Sequence, residues 1–144
     1  MKFTVLDRTK AKKFSYRTHG YKYVIISIND VDEMPNRFNH TDELVGVLYL
    51  CFDDILNEGP FSIKDSDADK IVKFMDIHRG VEECVVHCHA GVSRSAGVAA
   101  ALSLIFNGSD REIFENPRFS PNMLCYNSVL NAYNRYDNSI TKED

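Results

Sequence analysis

The segment that most constrains the fold is residues 82–97, EECVVHCHAGVSRSAG. Residues 84–87 are mostly β-prone and apolar, whereas residues 95–106 are rich in alanine and other strong helix formers. Between them, Gly91 permits the positive φ that a tight loop requires. The segment therefore predicts a strand, a short loop and the start of a helix, in that order.

A loop of this kind is expected to form a cradle for an anion. The backbone N–H groups of such a loop converge on one point, and the helix start adds a partial positive charge. Cys88 lies at one lip of the loop and Arg94 at the other. A cradle that holds phosphate also stabilises a thiolate, so we predict that Cys88 is a nucleophile. Arg94 offers a planar cation that can bind two phosphate oxygens. The predicted phosphate-binding residues are His89, Ala90, Gly91, Val92, Ser93 and Arg94.

Two other interpretations of this segment are open. In the first, Cys88 is a buried structural cysteine at a strand end and Arg94 is an unrelated surface residue. In the second, the segment holds a metal through a crowded set of side chains, namely Cys84, His87, Cys88 and His89. Zinc sites generally need a second pair of ligands further along the chain, and only Cys51, Cys125 and scattered histidines remain. We therefore expect no metal and no other cofactor.

The composition indicates one ordinary globular domain, residues 1–144. The chain has 44% hydrophobic and 26% charged residues and a net charge of −4. Without a strongly basic cluster, nucleic acid and anionic membranes are poor candidates for partners. The start of the chain does not resemble a secretory signal peptide. Because one of the four cysteines must stay reduced to act, we expect a cytoplasmic location.

Strand and helix patterns alternate along most of the chain. Strands are predicted at 3–6, at 23–28, at 45–52 and in a segment that ends at Val86. Helices are predicted at 8–14, from Asp65 or Ser66 to His78, at 95–106, at 109–112 and in a last segment that begins at Asn122. This alternation predicts a single α/β domain with a mainly parallel central sheet flanked by helices on both faces. The loop of the C-x5-R pattern joins the last core strand to a buried helix.

Two carboxylates are predicted to lie close to Cys88. Asp53 and Asp54 directly follow the strand predicted at 45–52, just as Cys88 follows the strand that ends at Val86. Because the carboxyl ends of parallel strands meet at one edge of the sheet, both groups should lie at that edge. An alternative is that the two aspartates only close a turn.

The pattern His87-Cys88-x-x-Gly91-x-x-Arg94-Ser95 resembles the loop of the cysteine-dependent protein tyrosine phosphatases, most closely the small dual-specificity group. The resemblance covers residues 45–136, beyond which 137–144 should form a frayed tail. It implies metal-independent hydrolysis of phosphotyrosine in proteins, and also of phosphoserine and phosphothreonine, through a phosphocysteine intermediate.

The resemblance also implies roles for residues outside the cradle. Asp54 would be the general acid, with Asp53 as a supporting neighbour. Ser95 would hydrogen-bond the departing thiolate, although serine at a helix start is also an ordinary cap. His87 would be buried and orient the loop. Asn122 would tie the start of the last helix to the active site, or would simply cap that helix.

Two further functions stay open at this point. One is a pseudophosphatase, a binding module that holds phosphoproteins without turnover. The other is a phosphatase of a non-protein phosphate ester such as a lipid or nucleotide phosphate. A phosphorylated protein is the expected partner, and the sequence leaves its identity and the oligomeric state of the chain open.

Overall fold

The computed structural model describes residues 1–143, with side chains described through residue 139. Within this part of the chain, one wholly parallel sheet has four strands in the order β1-β4-β2-β3. The strands are β1 (Lys2–Leu6), β2 (Tyr23–Asn29), β3 (Leu44–Cys51) and β4 (Glu83–His87). The helices are α1 (Arg8–Ser15), α2 (Asp65–Ile77), α3 (Arg94–Asn107), α4 (Arg111–Phe114) and α5 (Met123–Glu143).

The predicted α/β architecture, with helices on both faces of a parallel sheet, is confirmed. The two central strands, β2 and β4, are buried along their whole lengths, as expected for strands covered on both sides. Helix α1 covers one face, where Ala11 packs in a cluster with Tyr23, Ile25 and Val85. Helices α2, α3 and α5 cover the other face and enclose the larger core. No helix in the described chain is long and apolar enough to cross a lipid bilayer.

The connection between β2 and β3, residues 30–43, contains no helix. Pro35 and the many polar residues of this segment oppose a regular helix. The segment is nevertheless anchored, since Asn36 and Phe38 are both buried. It leaves the carboxyl end of β2 and so begins at the edge of the sheet where β4 ends.

Several element boundaries differ from the predicted ones by a residue or two. Strand β3 is Leu44–Cys51 instead of 45–52, and α3 begins at Arg94 instead of Ser95. Helix α2 is capped at Lys64, whose N–H donates to the Asp67 carboxylate over 2.8 Å, and not by Asp65 or Ser66. The backbone of 137–143 continues α5, which differs from the predicted frayed tail, and position 144 lies outside the described residues.

Helix α3 crosses the start of α5 at very short range, and Gly97 makes this crossing possible. A Cβ atom on Gly97 would lie 2.4 Å from the backbone oxygen of Asn122 and 3.1 Å from its nitrogen. Both contacts are with backbone, which cannot rotate away. The absence of a side chain at position 97 therefore lets α3 lie directly against the segment that precedes α5.

We expect Gly97→Ala to destabilise the fold by about 1–3 kcal/mol, because the helices must separate to admit one methyl group. Urea unfolding followed by circular dichroism would measure the change. Gly80→Ala is the matched control, since nothing lies within 4 Å of a Cβ at that position. Equal stabilities of the two variants would show that the crossing is not tight.

Candidate active site

The loop at residues 88–93 lies at the carboxyl edge of the sheet, between β4 and α3. Gly91 has a φ of 68°, as the sequence predicted, and a Cβ there would lie 2.5 Å from the nitrogen of Asp7. The loop is therefore backed closely by the end of β1. Its carbonyls are also engaged, because Ser120 N–H donates to Val92 O and Asn122 N–H to Ser93 O, each over 2.9 Å.

The amides of this loop, in contrast to its carbonyls, are free. Among the described residues, no backbone N–H of residues 89–93 donates to another backbone group outside regular helix and strand pairing. These amides follow the end of β4 and precede the first turn of α3, so they lie at a helix N-terminus. Such an arrangement is suited to binding a dianion.

Cys88 is 2% exposed, and its Sγ lies 3.0 Å from the Oγ of Ser95, which is fully buried. Ser95 is the second residue of α3. A hydroxyl at this distance can donate a hydrogen bond to a thiolate. The structure thus brings together two of the residues that the sequence singled out.

The other three cysteines have different surroundings. Burial raises the pKa of the Cys84 thiol and raises that of Cys125 to about 12. The Cys51 thiol also has a raised pKa, through partial burial and several nearby carboxylates, of which Asp53 contributes most. Each of these thiols is held in its neutral form, which is poorly nucleophilic.

Arg94 is 5% exposed, and its described contacts are made by one nitrogen of the guanidinium group. Its Nη1 donates to the carbonyl of Phe52 over 2.7 Å and forms an ion pair with Asp30 Oδ1, also at 2.7 Å. Its Nε is buried and has no hydrogen-bond partner in the described structure. A buried donor without a partner is costly, and an anion in the adjoining cleft would satisfy it.

The two carboxylates predicted near Cys88 both line the cleft, but they make different contacts. Asp54 Oδ1 accepts hydrogen bonds from Ser93 Oγ over 2.9 Å and from Asn122 Nδ2 over 2.8 Å. Asp53 Oδ1 accepts from the N–H of Val31 over 3.0 Å. Asp54 is therefore tied to the loop of Cys88, and Asp53 to the segment after β2. Both donors bind Oδ1 of Asp54, and its Oδ2 has no hydrogen-bond partner within the described structure.

Asn122 is buried and makes both kinds of contact that the sequence left as alternatives. Its Nδ2 binds Asp54 and, over 3.2 Å, the carbonyl of Ile55. Its Oδ1 accepts from the N–H of Cys125 over 3.0 Å, as an N-cap side chain does. One side chain therefore caps α5 and holds the segment that carries the acidic pair.

His87 is fully buried and lies beneath the loop, as the resemblance implied. Its Nδ1 is 3.2 Å from the carbonyl of Cys88, and its Nε2 is 2.6 Å from Ser27 Oγ. Because a carbonyl only accepts, Nδ1 carries the proton and Nε2 accepts from the serine hydroxyl. Burial lowers the pKa of His87 to about 4, so the imidazole is neutral near pH 7.

This histidine should make the fold sensitive to acid. Its pKa falls from 6.5 to about 4 on folding. The unfolded chain therefore binds the extra proton first, and stability is lost as the pH drops from 6.5 towards 4, by about 3 kcal/mol. We expect the urea-unfolding free energy of His87→Asn to fall less over this window than that of the wild type. His40→Asn, at an exposed position, should keep the wild-type slope, and parallel slopes for all three proteins would contradict the prediction.

The cleft above the loop has a volume of about 660 Å³ and is lined by Asp30, Asp32, Asp53, Asp54, Cys88, His89, Ala90, Val92, Ser93 and Arg94. His89 is exposed, with its Nδ1 3.6 Å from Glu33 Oε2. Together with Asp30 these form the group of described side chains that is close enough for one metal ion. Both carboxylates are already engaged, however, Asp30 by Arg94 and Glu33 by Arg8.

Sequence reasoning missed the contribution of the first forty residues. Asp30 pairs with Arg94, Ser27 holds His87, and Arg8 N–H donates to the His89 carbonyl over 3.2 Å. The sequence contains one indication of the Asp30 contact, because Asp30 directly follows the end of β2. The carboxyl ends of parallel strands lie at one edge of the sheet. The serine and arginine contacts depend on the register between β2, β4 and α1, which no local pattern reveals.

Comparison with known proteins supports the fold. Neither protein-family models nor curated protein sequences match the chain. Among solved structures, human DUSP28 is similar over 99% of this chain and 95% of its own, with a TM-score of 0.57 and 16% identity. The human tyrosine phosphatase-like serine/threonine/tyrosine-interacting protein is similar over 83% of this chain and 79% of its own, with a TM-score of 0.52 and 21% identity.

A third similar structure is PTPMT1 in complex with PI(5)P, which covers 83% of this chain and 80% of its own, with a TM-score of 0.51 and 24% identity. At these identities the likeness establishes the fold. The chain has the fold of the cysteine-dependent protein tyrosine phosphatases, in the small dual-specificity form that the loop pattern predicted.

Proposed function

We propose that this protein is a metal-independent phosphatase that hydrolyses phosphotyrosine in proteins, and also phosphoserine and phosphothreonine, through a phosphocysteine intermediate. The observation that carries the proposal is the surroundings of Cys88. Its Sγ lies 3.0 Å from a hydroxyl and beside a guanidinium whose buried Nε has no hydrogen-bond partner among the described residues, at a loop whose amides are likewise free within that part of the chain. This arrangement supplies a nucleophile and a site for the transferred group.

In the first step, the Cys88 thiolate attacks phosphorus and the bond from phosphorus to the ester oxygen breaks. Arg94 and the loop amides stabilise the charge on the equatorial oxygens as the group transfers. Asp54 gives its proton to the leaving oxygen, so the alcohol or phenol departs neutral. Asp30 and the Phe52 carbonyl hold Nη1 of Arg94, which leaves its Nε for a phosphate oxygen.

In the second step, water attacks the phosphocysteine and the phosphorus–sulfur bond breaks. The Asp54 carboxylate now accepts a proton from the water. Ser95 donates a hydrogen bond to the thiolate as it leaves, from its observed position 3.0 Å away. Inorganic phosphate and the regenerated Cys88 thiolate are the products. Because the thiolate must stay reduced between turnovers, we place the protein in the cytoplasm.

Protein substrates are favoured over inositides by the charge of the cleft. PTPMT1 was solved with PI(5)P, and its fold is similar to that of this chain. The cleft described here, however, is lined by four aspartates and by Arg94 as the one lysine or arginine. Additional phosphate groups on a substrate would face this acidic surface and be repelled. A pseudophosphatase is disfavoured because Cys88, Arg94, Ser95 and Asp54 are all present and close together.

Hydrolysis of a chromogenic aryl phosphate in EDTA tests the proposed activity. We expect turnover that EDTA does not affect and that vanadate, an analogue of the transition state, inhibits. A rapid acid quench followed by mass spectrometry should find phosphate on Cys88. Activity that depends on added metal would overturn the mechanism, and tight phosphopeptide binding without any turnover would show a pseudophosphatase.

A further inference from the structure

The mouth of the cleft has an unusual charge for a site that binds a dianion. Two segments contribute two aspartates each: Asp30 and Asp32 follow β2, and Asp53 and Asp54 follow β3. The N–H of Val31 donates to Asp53, which joins the two segments into one rim. The phosphate cradle therefore opens beside an acidic rim.

Three of these four aspartates have no ion pair among the described residues, and of these three Asp54 is the one that hydrogen-bonds the Cys88 loop. Asp32 is exposed, and its carboxylate has no hydrogen-bond or ion-pair partner among the described residues. The Asp53 carboxylate accepts only a backbone N–H and has no ion pair within the described chain. By contrast, Asp30 is paired with Arg94. The rim thus presents unpaired negative charge beside a pocket for a negative group.

Two basic side chains beside the cleft are paired with Glu33 and not with the aspartates of the rim. Arg8 forms an ion pair with Glu33, and its two terminal nitrogens also donate to Asn29 Oδ1 and to the Met34 carbonyl. His89 is exposed and faces Glu33. When a phosphate dianion enters the cradle, the rim therefore has spare negative charge that a substrate must meet.

We propose that the preferred substrate is a phosphorylated protein segment in which lysine or arginine flanks the phosphorylated residue. This inference rests on the proposed phosphatase function and names its substrate class. The phosphate group enters the cradle because the buried Arg94 Nε and the free loop amides require an anion there. The flanking cations then lie against Asp32 and Asp53 at the rim.

The surface beside the rim also suits a peptide. Val31 and Val92 are 40% and 38% exposed; Val31 lies between Asp30 and Asp32 in sequence, and Val92 lines the cleft. They offer apolar atoms to the ring of a phosphotyrosine or to the aliphatic stems of lysine and arginine. Opposite charges at the rim would add mainly to the rate of association and to specificity.

Three peptides with the same central phosphotyrosine and with lysine, alanine or glutamate on both sides test this inference. We expect kcat/KM to fall in that order, with roughly a tenfold advantage of the lysine peptide over the glutamate peptide at low salt. Because the effect is electrostatic and exposed, the ratio should shrink at ~0.5 M salt.

Charge reversal at the rim sharpens the test. Asp32→Lys should bring the lysine-to-glutamate ratio to about one or below, because the unpaired charge at the mouth changes sign. Asp42→Lys is the matched control: Asp42 is also exposed, but it precedes β3 and so lies towards the opposite edge of the sheet. It should keep the wild-type ratio. Loss of the preference in both variants would mean that net charge, not the rim, selects the substrate.

The outcomes separate this inference from the proposed function. If the aryl phosphate and all three peptides are hydrolysed with equal efficiency, the phosphatase stands and the substrate preference is overturned. If nothing is hydrolysed, the proposed function fails, and binding of the three peptides to the Cys88→Ser protein decides the inference alone. Equal affinities in that assay would overturn it, whereas tighter binding of the lysine peptide would support it.

Discussion

Replacing Cys88 with serine should abolish turnover while phosphate binding is retained. The serine hydroxyl would lie in the same buried position, beside Ser95 Oγ. His87 cannot serve as its base, because the two imidazole nitrogens are directed to Cys88 O and Ser27 Oγ. An unactivated hydroxyl is a weak nucleophile, so we expect a loss of more than about 10⁴-fold in kcat.

The measurement is aryl phosphate hydrolysis, with phosphate affinity followed by calorimetry on the same protein. Retained affinity is expected because the amides and Arg94, not the sulfur, hold the anion. Cys51→Ser is the matched control, since Cys51 is exposed at the end of β3 and its thiol is held neutral. A Cys88→Ser protein with substantial activity, or a Cys51→Ser protein without any, would contradict the assigned nucleophile.

The sequence was most informative about the cradle, for a physical reason. A strand end, a glycine with positive φ and a helix start are local features, and sixteen consecutive residues contain all of them. The separation between Cys88 and Arg94 is therefore determined by the loop itself. Because the carboxyl ends of parallel strands meet at one edge of the sheet, the sequence also predicts that Asp53 and Asp54 lie near Cys88, without further knowledge of packing.

What the sequence did not reveal are the contacts between distant segments. Asp30 forms an ion pair with Arg94, although the two residues are far apart in the sequence. The order of the strands in the sheet brings them together. The segment 30–43 is a loop without a helix, and its acidic residues become half of the rim. Propensity and periodicity describe single elements, so neither could show which side chains face one another across the cleft.

Asn122 illustrates a different limit. The pattern Ser-Pro-Asn before a helix predicts a cap, and the resemblance predicts a tie to the active site. The two ends of one amide serve both roles, with Oδ1 accepting from the Cys125 N–H and Nδ2 donating to Asp54. The close crossing at Gly97 brings the start of α5 near enough for this. Capping and positioning are therefore one structural feature.

Replacing Asp54 with alanine should lower turnover by about 10²–10⁴ on substrates with poor leaving groups, such as phosphotyrosine. The leaving oxygen of these esters needs a proton, and Asp54 is the carboxyl tied to the Cys88 loop by Ser93 and Asn122. The loss should shrink on an activated aryl phosphate, whose phenolate departs without help. Kinetics with a series of aryl phosphates of increasing leaving-group basicity would measure this dependence.

Asp53→Ala is the matched control for this assignment, because both aspartates line the cleft but only Asp54 contacts the loop and Asn122. Asp53 accepts from the N–H of Val31, so its loss should loosen the segment after β2 and cost much less activity. The cost should also be independent of the leaving group, since no proton transfer is removed. If Asp53→Ala instead shows the larger loss, and that loss grows with leaving-group basicity, then Asp53 is the acid. If neither variant shows such a dependence, the proton comes from another group, and Glu58 on the following turn is the next residue to replace.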